Sequence, residues 1–308
     1  MALCVALLVD QKLLSYDDLI TKHWPDFGNN GKANITVQML LSHTAGLPYL
    51  EERISLNNAT NYINMRKVFE DEKPKWSAGQ KLGYHAYTFY WLVDQIVRHV
   101  DLQKRGIRQF FNEEIAIKFG IIRMPSWSNI LSELYQRPSL IKTIPFNLLY
   151  KDSLIYKVAS SLKWLHPTKP MQVNNRNFYR LLCFGFGNAR SLAKTFHVLL
   201  TKKVVSTETQ FLISKVIVNS TDNCFMERFA RGNGFMYFDI KQREEMWYAY
   251  GHSGFGCQQV LHDFRNDLTI AYVTNAIKIG TYKNCRTYSR LQNIIYKVVR
   301  KYNKSYPL

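Results

Sequence analysis

Apolar residues recur along this chain in two rhythms. From Phe89 they fall at 89, 92, 93, 96, 97 and 100, which is one face of an amphipathic helix. The same spacing returns at Leu291, Ile294, Ile295, Val298, Val299 and Tyr302, near the end of the chain. Between these two stretches the period shortens. Phe235–Phe238, Met246–Tyr250, Cys257–His262 and Leu268–Thr274 are short runs rich in aromatic and β-branched residues, and turn residues divide them. They predict consecutive strands, hence an antiparallel sheet, with the terminal helix packed on it.

The first two thirds of the chain read as helices. Met1–Lys12 reads as the first helix, and its stretch Met1–Val9 is apolar all round, the mark of a buried helix. Ser15 or Asp17 is placed to cap a short helix ending before Pro25. Thr36 caps Val37–His43, and Gly46 is expected to supply its left-handed stop. Asn58 or Asn61 opens a helix to about Glu72, Gly106–Lys118 repeats the helical pattern, Asn188 caps Ala189–Leu200, and Ser206 opens a helix ending near Val216. Pro138, Pro145, Pro167 and Pro170 interrupt 125–180. The expected architecture is α+β and a single domain over 1–308. A helical body fills roughly 1–230, and an antiparallel sheet covered by the C-terminal helix fills roughly 231–308.

Composition narrows the choice. With 46% hydrophobic residues the chain is not disordered. Lys and Arg exceed Asp and Glu by 18, and the stretch 276–308 carries basic but no acidic side chains. No block of five basic residues occurs, so this charge reads as a solvated surface and no nucleic-acid partner is expected. No apolar run approaches the roughly 18 residues of a membrane span. The five cysteines are odd in number, widely spaced and without a C-x-x-C, which argues against zinc and against a disulfide framework, and for a reducing, intracellular compartment. Asp17-Asp18 suit a helix N-terminus, no residue cluster has metal spacing, and no phosphate loop occurs, so neither metal nor cofactor is expected.

Four segments in order resemble the serine β-lactamase-related family: class C β-lactamases, related esterases and D-Ala-D-Ala peptidases. Leu13–Phe27 (LLSYDDLITKHWPDF) is similar to the family's L-x-L-D-D stretch, and Ile35–Leu47 (ITVQMLLSHTAGL) to its I-T-V-x-x-L-L-x-H-T-S-G-L. Trp76–Val93, with Gly83-Tyr84 before a helix, resembles the tyrosine loop. Gly251-His252-Ser253-Gly254, followed by Phe255-Gly256 and later Val273-Thr274-Asn275, resembles G-H-T-G-x-G…T-N. The resemblance implies acyl transfer by a serine nucleophile on a small ester or peptide-like substrate. It gives Tyr84 the place of the proton-sharing phenol. His252 then lies on the strand that borders the pocket, with Ser253 and Gly254 holding a substrate carboxylate or carbonyl. His85, beside Tyr84, is a further candidate for substrate contact, whereas His43 is expected to fix the turn.

Two departures qualify this reading. The family's Ser-x-x-Lys lies just upstream of the helix that here begins at Met1, so the resemblance implies a fold incomplete at its N-terminus. Such a chain is expected to leave apolar surface uncovered and to be inactive as given. The strings Ser139–Lys142, Ser160–Lys163 and Ser191–Lys194 all follow Tyr84, the wrong order for the family. The class C Tyr-x-Asn is here Tyr84-His85-Ala86, which disfavours penicillin hydrolysis and favours the esterase and peptidase branches. The alternatives are a pseudoenzyme that binds a ligand or partner, and an interaction protein with a basic face for an anionic surface.

Overall fold

The computed structural model describes residues 1–121, 153–160, 188–200, 204–242, 244–254, 256–274 and 282–305. Helices come first, antiparallel strands follow, and a long helix closes the chain, so the architecture is α+β. The described residues fall into two compact units interleaved in sequence.

The first unit holds Met1–Gly120, the helix Leu154–Ser160 and Val205–Phe235. Its centre is α1 (Ala2–Asp10), in which every residue from Leu3 to Val9 is buried, as a helix without a polar face requires. Six further helices precede Gly120: α2 (Ile20–His23), α3 (Val37–Leu41), α4 (Leu56–Thr60), α5 (Tyr62–Asp71), α6 (Thr88–Val100) and α7 (Ile107–Phe111). Leu154–Ser160 is α8. Side-chain caps set several boundaries. Thr36 accepts the Met39 N–H, Ser55 that of Asn58, and Asn61 those of Ile63 and Asn64. The helix expected to begin at Asn58 or Asn61 is therefore two helices, α4 and α5. Neither Ser15 nor Asp17 caps α2, whose N-cap is Leu19. Asp18 instead accepts the Ser15 N–H and pairs with Lys22 and His23.

The pattern over 106–118 is also divided. After α7 the chain widens into a π-helical turn, Asn112–Ile117, and buried Arg105 pairs with Asp101, Glu113 and Glu114 at 2.8–2.9 Å. The helix α9 (Ala189–Leu200) belongs to the second unit. The helix α10 (Thr207–Ser214) is capped by Ser206 and is tied to α1 by Asp10, which accepts the Ser206 N–H at 2.8 Å. The first unit ends in a hairpin of β1 (Val218–Asp222) and β2 (Glu227–Gly232). This hairpin was not legible beforehand, because β1 is Val-Asn-Ser-Thr-Asp and offers no apolar run.

The second unit holds Gly187–Val204 and Met236–Leu308. Its strands are β3 (Phe235–Gln242), β4 (Glu245–Gly254), β5 (Gln258–Asp263) and β6 (Leu268–Tyr272), each antiparallel to the next. The helix α9 packs on β5 and β6, with Asn188 accepting the Ser191 N–H as its cap. The last helix, α11 (Arg286–Ser305), buries Tyr288 and Tyr296, and the Tyr296 hydroxyl donates to Asp263 at 2.8 Å. Its apolar stripe is only partly covered. Ile294, Val298 and Tyr302 are 59, 63 and 64% exposed, so only part of the 291–302 stripe meets the sheet.

A correction concerns the cysteines. Cys257 and Cys285 form a disulfide, with Cα atoms 5.7 Å apart across 28 residues of sequence. Spacing gave no hint of it, because folding brings the start of β5 to the start of α11. Cys4 and Cys224 are buried free thiols. Among the described residues no helix is long and apolar enough to cross a membrane, and no metal-ligating cluster occurs.

Candidate functional site

The tyrosine loop is built on the end of α3. Ser42 caps the helix and His43 follows with φ +64°, so the left-handed stop is a histidine and not Gly46. The His43 N–H donates to the Leu40 carbonyl and the Thr44 N–H to that of Met39, which is the Schellman arrangement. A left-handed conformation costs a non-glycine residue about 1 kcal/mol. Surrounding contacts hold it in place. The His43 ring lies 4.8 Å from Tyr84 and 4.9 Å from Phe89, and its Nδ1 accepts the His85 N–H at 3.2 Å. Gly46 is needed for a separate reason: with φ +80°, a Cβ there would sit 2.5 Å from the Trp76 carbonyl oxygen.

His85 is fully buried and both ring nitrogens are engaged. The Leu47 N–H donates to Nε2 at 3.0 Å, so Nε2 carries no proton. Nδ1 therefore carries it and donates to the Gly83 carbonyl at 2.7 Å. Burial pushes the ring down to about 3, so it is neutral at any ordinary pH. The ring holds the loop and has no nitrogen left for a ligand.

Tyr84, next to it, is half-buried. Its backbone N–H donates to Asp222 Oδ1 at 3.3 Å, and its ring meets Phe225 at 5.6 Å and the Arg231 guanidinium at 4.6 Å. Burial raises the phenol above its ordinary range, and the Arg231 cation pulls the other way. Asp222 and Arg231 are themselves buried and paired at 3.4 Å. Neither was singled out from sequence. They follow Tyr84 by well over a hundred residues, on strands with no apolar signature.

His252, Ser253 and Gly254 occupy the end of β4 in the second unit, opposite Val260, Gln259 and Gln258 of β5. Gly251 precedes them because the Val260 carbonyl oxygen would lie 2.1 Å from any Cβ there. His252 is half-exposed, whereas Ser253 is buried. The Ser253 hydroxyl accepts the Tyr282 N–H at 3.0 Å, and its backbone N–H points at Met236 Sδ at 3.4 Å. The amide of Gln258 exchanges two hydrogen bonds with the backbone of Thr274, at 2.9 and 3.0 Å. Gln258 was another residue that sequence reasoning passed over.

Of the remaining motif positions, Phe255 and Asn275 lie outside the described residues, as do Ser139, Lys142 and Lys163. Ser191 sits in the first turn of α9, and Lys194 is exposed to water.

A family model described as Beta-lactamase matches residues 1–290. An esterase/β-lactamase of Mycobacterium tuberculosis (strain ATCC 25618 / H37Rv), LipL, is 35% identical over 113 residues, which is 35% of this chain and 24% of that protein. The matched stretch is thus about a quarter of that relative's length. Among solved structures, EstA of Arthrobacter nitroguajacolicus Rue61a superposes with a TM-score of 0.80 at 23% identity, over 98% of this chain and 82% of EstA. A family VIII carboxylesterase gives 0.74 at 21% identity, over 91% and 75% of the two chains. A penicillin-binding protein homologue of Caulobacter crescentus gives 0.69 at 23% identity, over 90% and 75%.

Proposed function

This chain belongs to the β-lactamase family, and we propose that its place there is an acyl-transfer hydrolase of the esterase or peptidase kind, acting on a small ester or peptide-like compound. The observation that carries this is the Tyr84 loop. A half-buried phenol is held by its backbone and its ring, and the adjacent histidine is locked neutral. A phenol held that way can pass a proton between a nucleophile and a leaving group. Tyr84 is given that role, and His252, Ser253 and Gly254 the binding of the substrate carbonyl or carboxylate. His85 is assigned to holding the loop and not to substrate. Ala86 stands where class C β-lactamases carry an asparagine, which speaks for esters over penicillins.

One observation favours a second reading. That reading is a pseudoenzyme that binds such compounds without turning them over: within residues 1–308 no Ser-x-x-Lys precedes Tyr84. One assay tests both readings: hydrolysis of p-nitrophenyl acetate and of nitrocefin by the native protein and its Tyr84→Phe variant. Ester turnover that falls at least about a hundredfold in Tyr84→Phe, with nitrocefin untouched, is expected of the hydrolase. Turnover unchanged in Tyr84→Phe overturns the assignment of Tyr84. No turnover, with a short-chain ester raising the melting temperature, is the outcome expected of the binding protein.

A further inference from the structure

A buried arginine is an expensive neighbour for a tyrosine. Arg231 is 1% exposed, and among the described residues its Nε has no hydrogen-bond partner. Among the described residues its ion-pair contact is to Asp222, at a long 3.4 Å. A pair chosen for stability would be bidentate and fully satisfied, and a well-packed apolar side chain would serve as well. The guanidinium instead lies over two rings, Tyr84 at 4.6 Å and Phe229 at 5.0 Å. Asp222 uses its other oxygen on the backbone, accepting the N–H groups of Tyr84 at 3.3 Å and Cys224 at 2.8 Å.

We propose that Asp222 and Arg231 act as a two-sided clamp on Tyr84, the carboxylate fixing its backbone and the guanidinium its ring, so that Arg231 is a positioning residue that also sets the proton affinity of the phenol. The inference rests on the reading of Tyr84 as the proton-relaying phenol. Among the described residues, His43 after α3, Asp222 on β1, Cys224 in the hairpin turn and Arg231 on β2 contact Tyr84, and His85 is its neighbour in the chain. His85 is held neutral by burial, and burial with the Asp222 charge pushes the Cys224 thiol up to about 12, so it is neutral as well. Arginine keeps its proton in proteins. The Arg231 cation therefore favours the phenolate, and the Asp222 anion opposes it.

These opposed signs provide the test. A 3,5-difluorotyrosine placed at position 84 has an acidic phenol whose titration fluorine NMR follows in the full chain. Arg231→Met removes the charge and keeps bulk, and the midpoint is expected to rise by about one pH unit. Asp222→Asn removes the anion and keeps an acceptor, and the midpoint is expected to fall. Arg231→Lys should recover most of the shift. A merely structural role would move the first two variants in the same direction, and that result, or no movement in either, overturns the proposal. If Arg231→Met does not fold, a fall in Asp222→Asn together with a midpoint in Arg231→Lys close to that of the unsubstituted chain still decides. Ester turnover of the same variants separates the two claims. Opposed shifts with turnover indifferent to Tyr84→Phe would leave the clamp standing and remove the relay.

Discussion

His85 and His262 illustrate what burial does to a single side chain. Each has a ring nitrogen engaged within the fold, His85 with the Leu47 and Gly83 backbones and His262 with the Thr269 hydroxyl at 2.8 Å. Burial pushes them down to about 3 and about 4. The unfolded chain takes up a proton on each near pH 6.5, and the folded chain refuses it until the pH is far lower. Between those limits the unfolded state binds more protons, so stability is complete above about pH 6.5 and is lost as pH falls. From pH 7 to 5 each histidine is expected to cost about 2 kcal/mol. Urea unfolding at the two pH values measures the sum, and His262→Gln should remove about half of it. An unfolding free energy flat over this range would show that the rings protonate in place. Tyr84 depends on its neighbours in the same way. The motif names the residue, but Asp222 and Arg231, far along the chain, give it its environment.

At the scale of elements, local chemistry set most helix boundaries. Thr36, Asn61, Asn188 and Ser206 cap the helices their positions suggest, because a side-chain oxygen at that spacing satisfies an otherwise open N–H. Local pattern failed where the decisive partner was distant. The β1–β2 hairpin pairs two polar stretches, and its signal is the register Val218↔Arg231 to Asp222↔Glu227, which no window of sequence contains. The Cys257–Cys285 bond likewise joins the turn before β5 to the start of α11. Closing a loop of 28 residues is expected to stabilise the fold by about 3–4 kcal/mol. Chemical denaturation with and without reductant measures it, and Cys257→Ser with Cys285→Ser should match the reduced protein. Equal midpoints in all three would mean the bond does not form in solution.

Across the whole molecule, charge and apolar surface oppose one another. The chain carries a net charge of +18, which keeps copies apart at low ionic strength. The helix α11 nevertheless exposes Leu291, Ile294, Val298 and Tyr302 along one side. Salt that screens the charge leaves the apolar attraction in place. Sedimentation velocity is therefore expected to show self-association that grows with salt concentration, and Ile294→Gln with Val298→Gln should abolish it. Association that weakens with salt, or survives the double change, would place the contact elsewhere.

Sequence alone determined the α+β order of elements, the strands β3 to β6, and the family motifs that carry Tyr84 and His252. Each depends on residues within a few positions of one another, where periodicity, capping and turn chemistry act directly. Tertiary structure decided which face of α11 is covered, that Cys257 meets Cys285, that His85 turns inward, and that a buried Arg231 lies on the Tyr84 ring. Those outcomes follow from which distant segments exclude water together, and chain spacing does not encode that.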